Sequence, residues 1–68
     1  MPSSVIRDFA YDPDDRVLEI TFVSGRIYLY RRVPQDIHDE FSAAKSKGEF
    51  FNKHIRDRYD HVEVSGAD

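Results

Sequence analysis

Five bases fall between residues 45 and 58, namely Lys45, Lys47, Lys53, Arg56 and Arg58, opposed there by Glu49 and Asp57. Arg31 and Arg32 add two more upstream. Such a cluster suits phosphate, because each contact releases counterions condensed on a nucleic-acid backbone, and aromatic rings beside it can stack unpaired bases. Rings are at hand in Tyr28-Leu29-Tyr30 and His54. Asn52 and Arg56 stand four residues apart, which puts them on one face of a helix as a polar pair able to meet a phosphate or a base edge. The candidate nucleic-acid contacts are therefore Arg31, Arg32, Lys47, Lys53, Arg56, Arg58, Tyr28, Tyr30 and Asn52. Each also has a plainer use. Lys and Arg can form the solvated side of a helix, with Glu49 and Lys53 as an i, i+4 pair. The tyrosines can pack their rings at the edge of a core. Asn52 and Arg56 can satisfy a turn or a strand end.

Other chemistries lack their residues. His38, His54 and His61 follow no ligand spacing, there is no cysteine, and Asp12-Pro13-Asp14-Asp15 lacks the alternation and glycine of a calcium loop. No nucleophile, base and orienting acid group recognisably, and no glycine-rich loop cradles a phosphate, so neither catalysis nor a cofactor is expected. Ten Lys and Arg against thirteen Asp and Glu leave a net charge of −3. The isoelectric point near 5.5 lies well below that of strongly basic nucleic-acid modules, so any phosphate site must be local. Without an apolar run long enough to span a bilayer or an export leader, the chain reads as soluble and cytoplasmic, with no membrane partner.

These residues need elements to position them, and 68 residues allow one small domain that buries about 60% of its unfolded surface. Ser4 to Tyr11, Val17 to Val23 and Arg26 to Arg32 have strand character. They are separated by Asp12-Pro13-Asp14-Asp15 and by Ser24-Gly25, both turn chemistry. After Val33-Pro34 the period changes: Ile37, Phe41 and Ala44 share a helix face. Ser46-Lys47-Gly48-Glu49 matches a capping box and opens a second helix along Phe51, Ile55 and Tyr59. The expected class is α+β: a three-stranded antiparallel β-meander followed by two helices packed on one face, in the order β-β-β-α-α. One domain covers residues 1–61, and 62–68 form a frayed tail.

The second hairpin admits two registers. A two-residue Ser24-Gly25 loop puts Ile27 and Leu29 with Leu18, Ile20 and Phe22, and leaves Tyr28 and Tyr30 as an exposed platform. A three-residue Val23-Ser24-Gly25 loop with a G1 bulge pairs Ile20 with Tyr28 and Leu18 with Tyr30, burying the tyrosines under the helices. Exposed tyrosines favour nucleic acid. Exposed Val17, Ile27 and Leu29 favour self-association or another protein partner on the open sheet face.

From Ser3-Ser4 through Tyr11-Asp12, Leu18, Phe22, Gly25, Tyr28-Leu29-Tyr30, Val33-Pro34, Ala44, Ser46, Gly48, Phe51-Asn52, Ile55-Arg56 and Tyr59, the chain resembles the KTSC domain family. The likeness runs roughly from Ser3 to Tyr59. The family is named for its appearance at the C-terminus of some lysyl-tRNA synthetases, and many members are small stand-alone bacterial proteins. The resemblance implies RNA, as tRNA or single strands, for a partner and no catalytic activity. Its pattern often has a polar residue between the two tyrosines, which implies the bulged register. Leu29 departs from that pattern, and Ile37-His38 departs where an apolar residue and a tyrosine are common.

Overall fold

The computed structural model describes residues 6–64. Strands β1 (Ile6–Asp12), β2 (Val17–Phe22) and β3 (Ile27–Tyr30) precede helices α1 (Gln35–Ala43) and α2 (Lys47–His54), and a fourth strand, β4 (His61–Glu63), follows. All four strands join one antiparallel sheet in the order β1-β2-β3-β4. The first turn is held by Asp12, whose Oδ1 accepts from the Asp14 N–H at 3.0 Å and the Asp15 N–H at 3.4 Å.

The second hairpin takes the three-residue loop. The Phe22 N–H donates to the Arg26 carbonyl at 2.9 Å and the Gly25 N–H to the Phe22 carbonyl at 2.8 Å. Gly25 has φ of +96°, a left-handed conformation costly for a residue with a Cβ. Ile20 then faces Tyr28 and Leu18 faces Tyr30, so both tyrosines turn toward the helices. Ile27 and Leu29 turn to the other face, as side chains alternate along a strand.

Leu18, Ile20, Tyr30, Val33, Phe41, Phe51 and Ile55 form the core, with Phe9, Tyr11, Phe22, Tyr28, Phe50 and Tyr59 among the half-buried residues around it. Helix α1 contributes Phe41, whose ring meets Phe9 edge-on at 4.8 Å. The Tyr11 hydroxyl donates to the Val33 carbonyl at 2.6 Å and its ring stacks on His38 at 4.5 Å, so the histidine at the departure from the family pattern fills an aromatic place. Beyond the end of α1, Lys47 Nζ donates to the Ala44 carbonyl. Ser46 caps α2, its Oγ accepting from the Glu49 N–H at 3.2 Å.

Two segments differ from the sequence expectation. Helix α2 stops at His54, and Tyr59 reaches the core from the following turn. The cause is a widened last turn, in which the Ile55 and Arg56 N–H groups both donate to the Phe51 carbonyl. The tail also pairs from its start. Tyr30 faces His61, Leu29 faces Val62 and Tyr28 faces Glu63, extended by Arg31 N–H to the Asp60 carbonyl and Val64 N–H to the Ile27 carbonyl at 2.8 Å each. Strand β3 would otherwise carry unpaired backbone groups along its outer side, and three residues of β4 cover them. Residues 65–68 of the expected tail, and Ser4 and Val5 of the expected first strand, lie outside the described residues.

Candidate nucleic-acid interface

The bulged register and the added strand together make a cleft. Its floor is aromatic: Phe22, Tyr28, Tyr30 and Phe51 line it, with Phe22 edge-on to Tyr28 and to Phe51, and Tyr30 edge-on to Phe51, all at 5.4 Å. Such edge-to-face contacts fix the rings against one another. Strand β4 closes one side with His61, whose ring lies over Tyr30 at 4.9 Å and over Tyr28 at 5.2 Å. The hairpin supplies Arg26, and the end of α2 and the turn after it supply Asn52, Arg56 and Asp57. Arg56 Nη1 donates to Asn52 Oδ1 at 3.3 Å, so the polar pair expected from the i, i+4 spacing forms at the lip. The cavity measures about 620 Å³, within the usual span of about 300–1,000 Å³ for ligand sites.

Tyr30 is 2% exposed, and burial pushes its phenol up to about 12, Tyr28 adding to the rise and Arg56 opposing it. A raised folded-state value has a defined consequence for alkaline stability. The contribution is complete below pH about 10, where an unfolded tyrosine also keeps its proton, and is lost as pH climbs through about 12. In an ultraviolet titration of tyrosinate, the Tyr30 phenol is expected to ionise late, near 12, with Tyr11 also raised above its ordinary value by burial, and Tyr30→Phe is expected to remove the step near 12. Ionisation of all the phenols together in the folded protein would contradict this placement.

The candidate residues divide among three places. Tyr28, Tyr30, Asn52 and Arg56 meet in the cleft. Lys53 lies in a shallower depression of about 300 Å³ with Lys45, Phe50 and His54, and Glu49 also lines it. Lys47 is bound to the Ala44 carbonyl and lies 5.9 Å over the Phe9 ring. Arg31, Arg32 and Arg58 are exposed and line neither depression. The basic stretch is therefore not a single face.

Arg26 and His61 join the cleft without having stood among the candidates. The signal for Arg26 was the bulged turn, which places it opposite Phe22 at the mouth. His61 had no comparable signal, because it belongs to a three-residue strand. Among the described residues no three His, Asp or Glu side chains gather in a way that could hold a metal ion. No helix among them is long and apolar enough to cross a membrane.

These features define a small α+β domain with one aromatic cleft between a hairpin, a helix end and an edge strand. The chain belongs to the KTSC domain family, whose sequence profile matches residues 2–59. It is similar to the crystal structure of a KTSC domain protein from Yersinia pestis, with a TM-score of 0.85 and 40% identity over 94% of this chain and 90% of that one. A protein of Tsukamurella paurometabola is 39% identical over 57 residues, 84% of this chain and 85% of its own length. A lysine–tRNA ligase of Nostoc punctiforme is 37% identical over 62 residues, 91% of this chain. This chain spans only 11% of the ligase's length, so the likeness is to a small part of that enzyme.

Proposed function

We propose that the chain is a small, non-enzymatic, cytoplasmic binding module whose partner is RNA, tRNA or single-stranded, held at the aromatic cleft. The observation that carries this reading is the meeting of Tyr28, His61, Asn52, Arg26 and Arg56 around one cavity. Single-stranded RNA is recognised by that combination: rings for unstacked bases, guanidinium groups for phosphates, and an amide for a base edge. The enzymes that carry a homologous segment act on tRNA by name, which agrees with an RNA partner. With Lys45, Lys47 and Lys53 off the cleft, the contact is narrower than a basic helix face. The two arginines are its charge anchors.

Binding of single-stranded RNA or bulk tRNA is expected to weaken with salt. If both arginines neutralise a phosphate, the slope of log affinity against log salt is about −1.4, at about 0.7 per phosphate for single strands. Fluorescence anisotropy of labelled RNA across a salt series measures it. Absence of binding at low salt, or binding that ignores salt, would overturn the proposal.

A second reading concerns the open sheet face. Val62 on β4 and Val64 just after it are 40% and 48% exposed, and Val62 sits opposite Leu29 in the sheet. Val17, Ile27 and Leu29 on the same face are half-buried. The apolar row suits self-association or a protein partner. Sedimentation of the isolated chain at high concentration tests self-association, and a strict monomer would count against it.

A further inference from the structure

We infer that the cleft takes one unstacked nucleotide, with its base on the exposed aromatic surface and its adjoining phosphate on the arginines. This inference rests on the RNA reading and goes further by assigning the unit recognised. The ring surface decides between a base and a bare backbone. Phe22, Tyr28 and His61 all keep solvent-accessible area, whereas Tyr30 and Phe51 beneath them are buried. A ribose-phosphate chain crossing the mouth would leave that apolar surface wet, while a base laid on it removes it from water.

The polar groups are arranged for the rest of a nucleotide. Arg26 stands at the hairpin end of the cavity and Arg56 in the turn after α2, so positive charge flanks the aromatic floor. The Arg56–Asn52 hydrogen bond uses one guanidinium N–H and the amide oxygen, leaving the Asn52 NH₂ and further Arg56 donors able to reach a ligand. Asp57, also on the lining, disfavours a phosphate on its own side and accepts from a base amino group instead. The recess lies between the Val23–Arg26 hairpin end, α2 with the turn after it, and β4, and its exposed ring faces suit a base turned out of its stack. The nucleotide this surface suits is an unpaired one, and the same chemistry could come from an RNA strand or from a free nucleotide.

The test is an affinity series with the intact chain: a single-stranded RNA hexamer, the same hexamer made abasic throughout, and a nucleoside monophosphate. The hexamer is expected to bind and the abasic strand to bind on the order of tenfold more weakly, as loss of one stacked base requires. Tyr28→Leu, which keeps apolar bulk but removes the ring, and His61→Ala at an exposed position are each expected to weaken the hexamer and leave the abasic strand unchanged. Equal affinity for the two strands, unaffected by either substitution, would overturn the inference while the RNA reading stands. A monophosphate binding as tightly as the hexamer would support the nucleotide site and overturn RNA as its source. Binding of none of the three would overturn both.

Discussion

Phe41→Ala is expected to unfold a large part of the population at room temperature. Phe41 is fully buried and is the residue by which α1 enters the core, touching Phe9 at 4.8 Å and Phe50 at 6.0 Å between ring centres. Truncating a buried phenylalanine costs about 3–5 kcal/mol, through lost transfer energy and the cavity left behind. At about 0.05–0.15 kcal/mol per residue, a chain of this length holds only about 3–10 kcal/mol in total. For a domain this small, each kcal/mol moves the melting temperature by about 4–8 °C, so thermal denaturation followed by circular dichroism should show a loss of at least about 12 °C. The cleft would go with the core, since Phe51 belongs to the same cluster and forms part of the cleft floor. A variant melting within a few degrees of the parent would show that α1 is not held through this ring.

The combined substitution Arg26→Ala and Arg56→Ala is expected to abolish most RNA binding while the domain stays folded. Both side chains are exposed, and neither belongs to the core or to its half-buried surround, so their removal opens no cavity. A hydrogen bond to a charged partner is worth about 1.5–3 kcal/mol, or roughly tenfold to a hundredfold in affinity for each arginine. The salt slope should flatten in the same variant, because the counterions those groups release are no longer displaced. Lys45→Ala with Lys53→Ala is the matched control. It removes equal charge from the depression beside Phe50 and His54, so binding should be nearly unchanged. If the lysine pair weakens RNA as much as the arginine pair, the interaction follows the basic stretch and the cleft has no special part in it.

The first three strands and the starts of both helices were legible because their boundaries carry local chemistry. Asp12 does bind the turn N–H groups and Ser46 does cap α2, as their side chains lead one to expect. The register of the second hairpin was not legible, since Ser24-Gly25 serves either loop. The bulged loop buries Tyr30 over Phe51, whereas the other would present Ile27 and Leu29 to the helices. Strand β4 was illegible for a different reason. Three residues cannot establish a period, and pairing is decided by the open side of β3, a tertiary fact. His61 was hidden with it, and so was the closed side of the cleft. The candidate site was thus half visible. The tyrosines and the Asn52–Arg56 pair stood out by spacing, while Arg26 and His61 depended on a turn type and a strand that only the assembled sheet specifies.

The most direct measurement is the location of RNA binding by amide chemical-shift perturbation, titrating the isotope-labelled protein with single-stranded RNA at low and moderate salt. Shifts are expected at Arg26, Tyr28, Asn52, Arg56 and His61, shrinking together as salt rises. Shifts centred on Lys45, Lys47 and Lys53, or on Leu29, Val62 and Val64, or no shifts at all, would contradict RNA binding at the cleft.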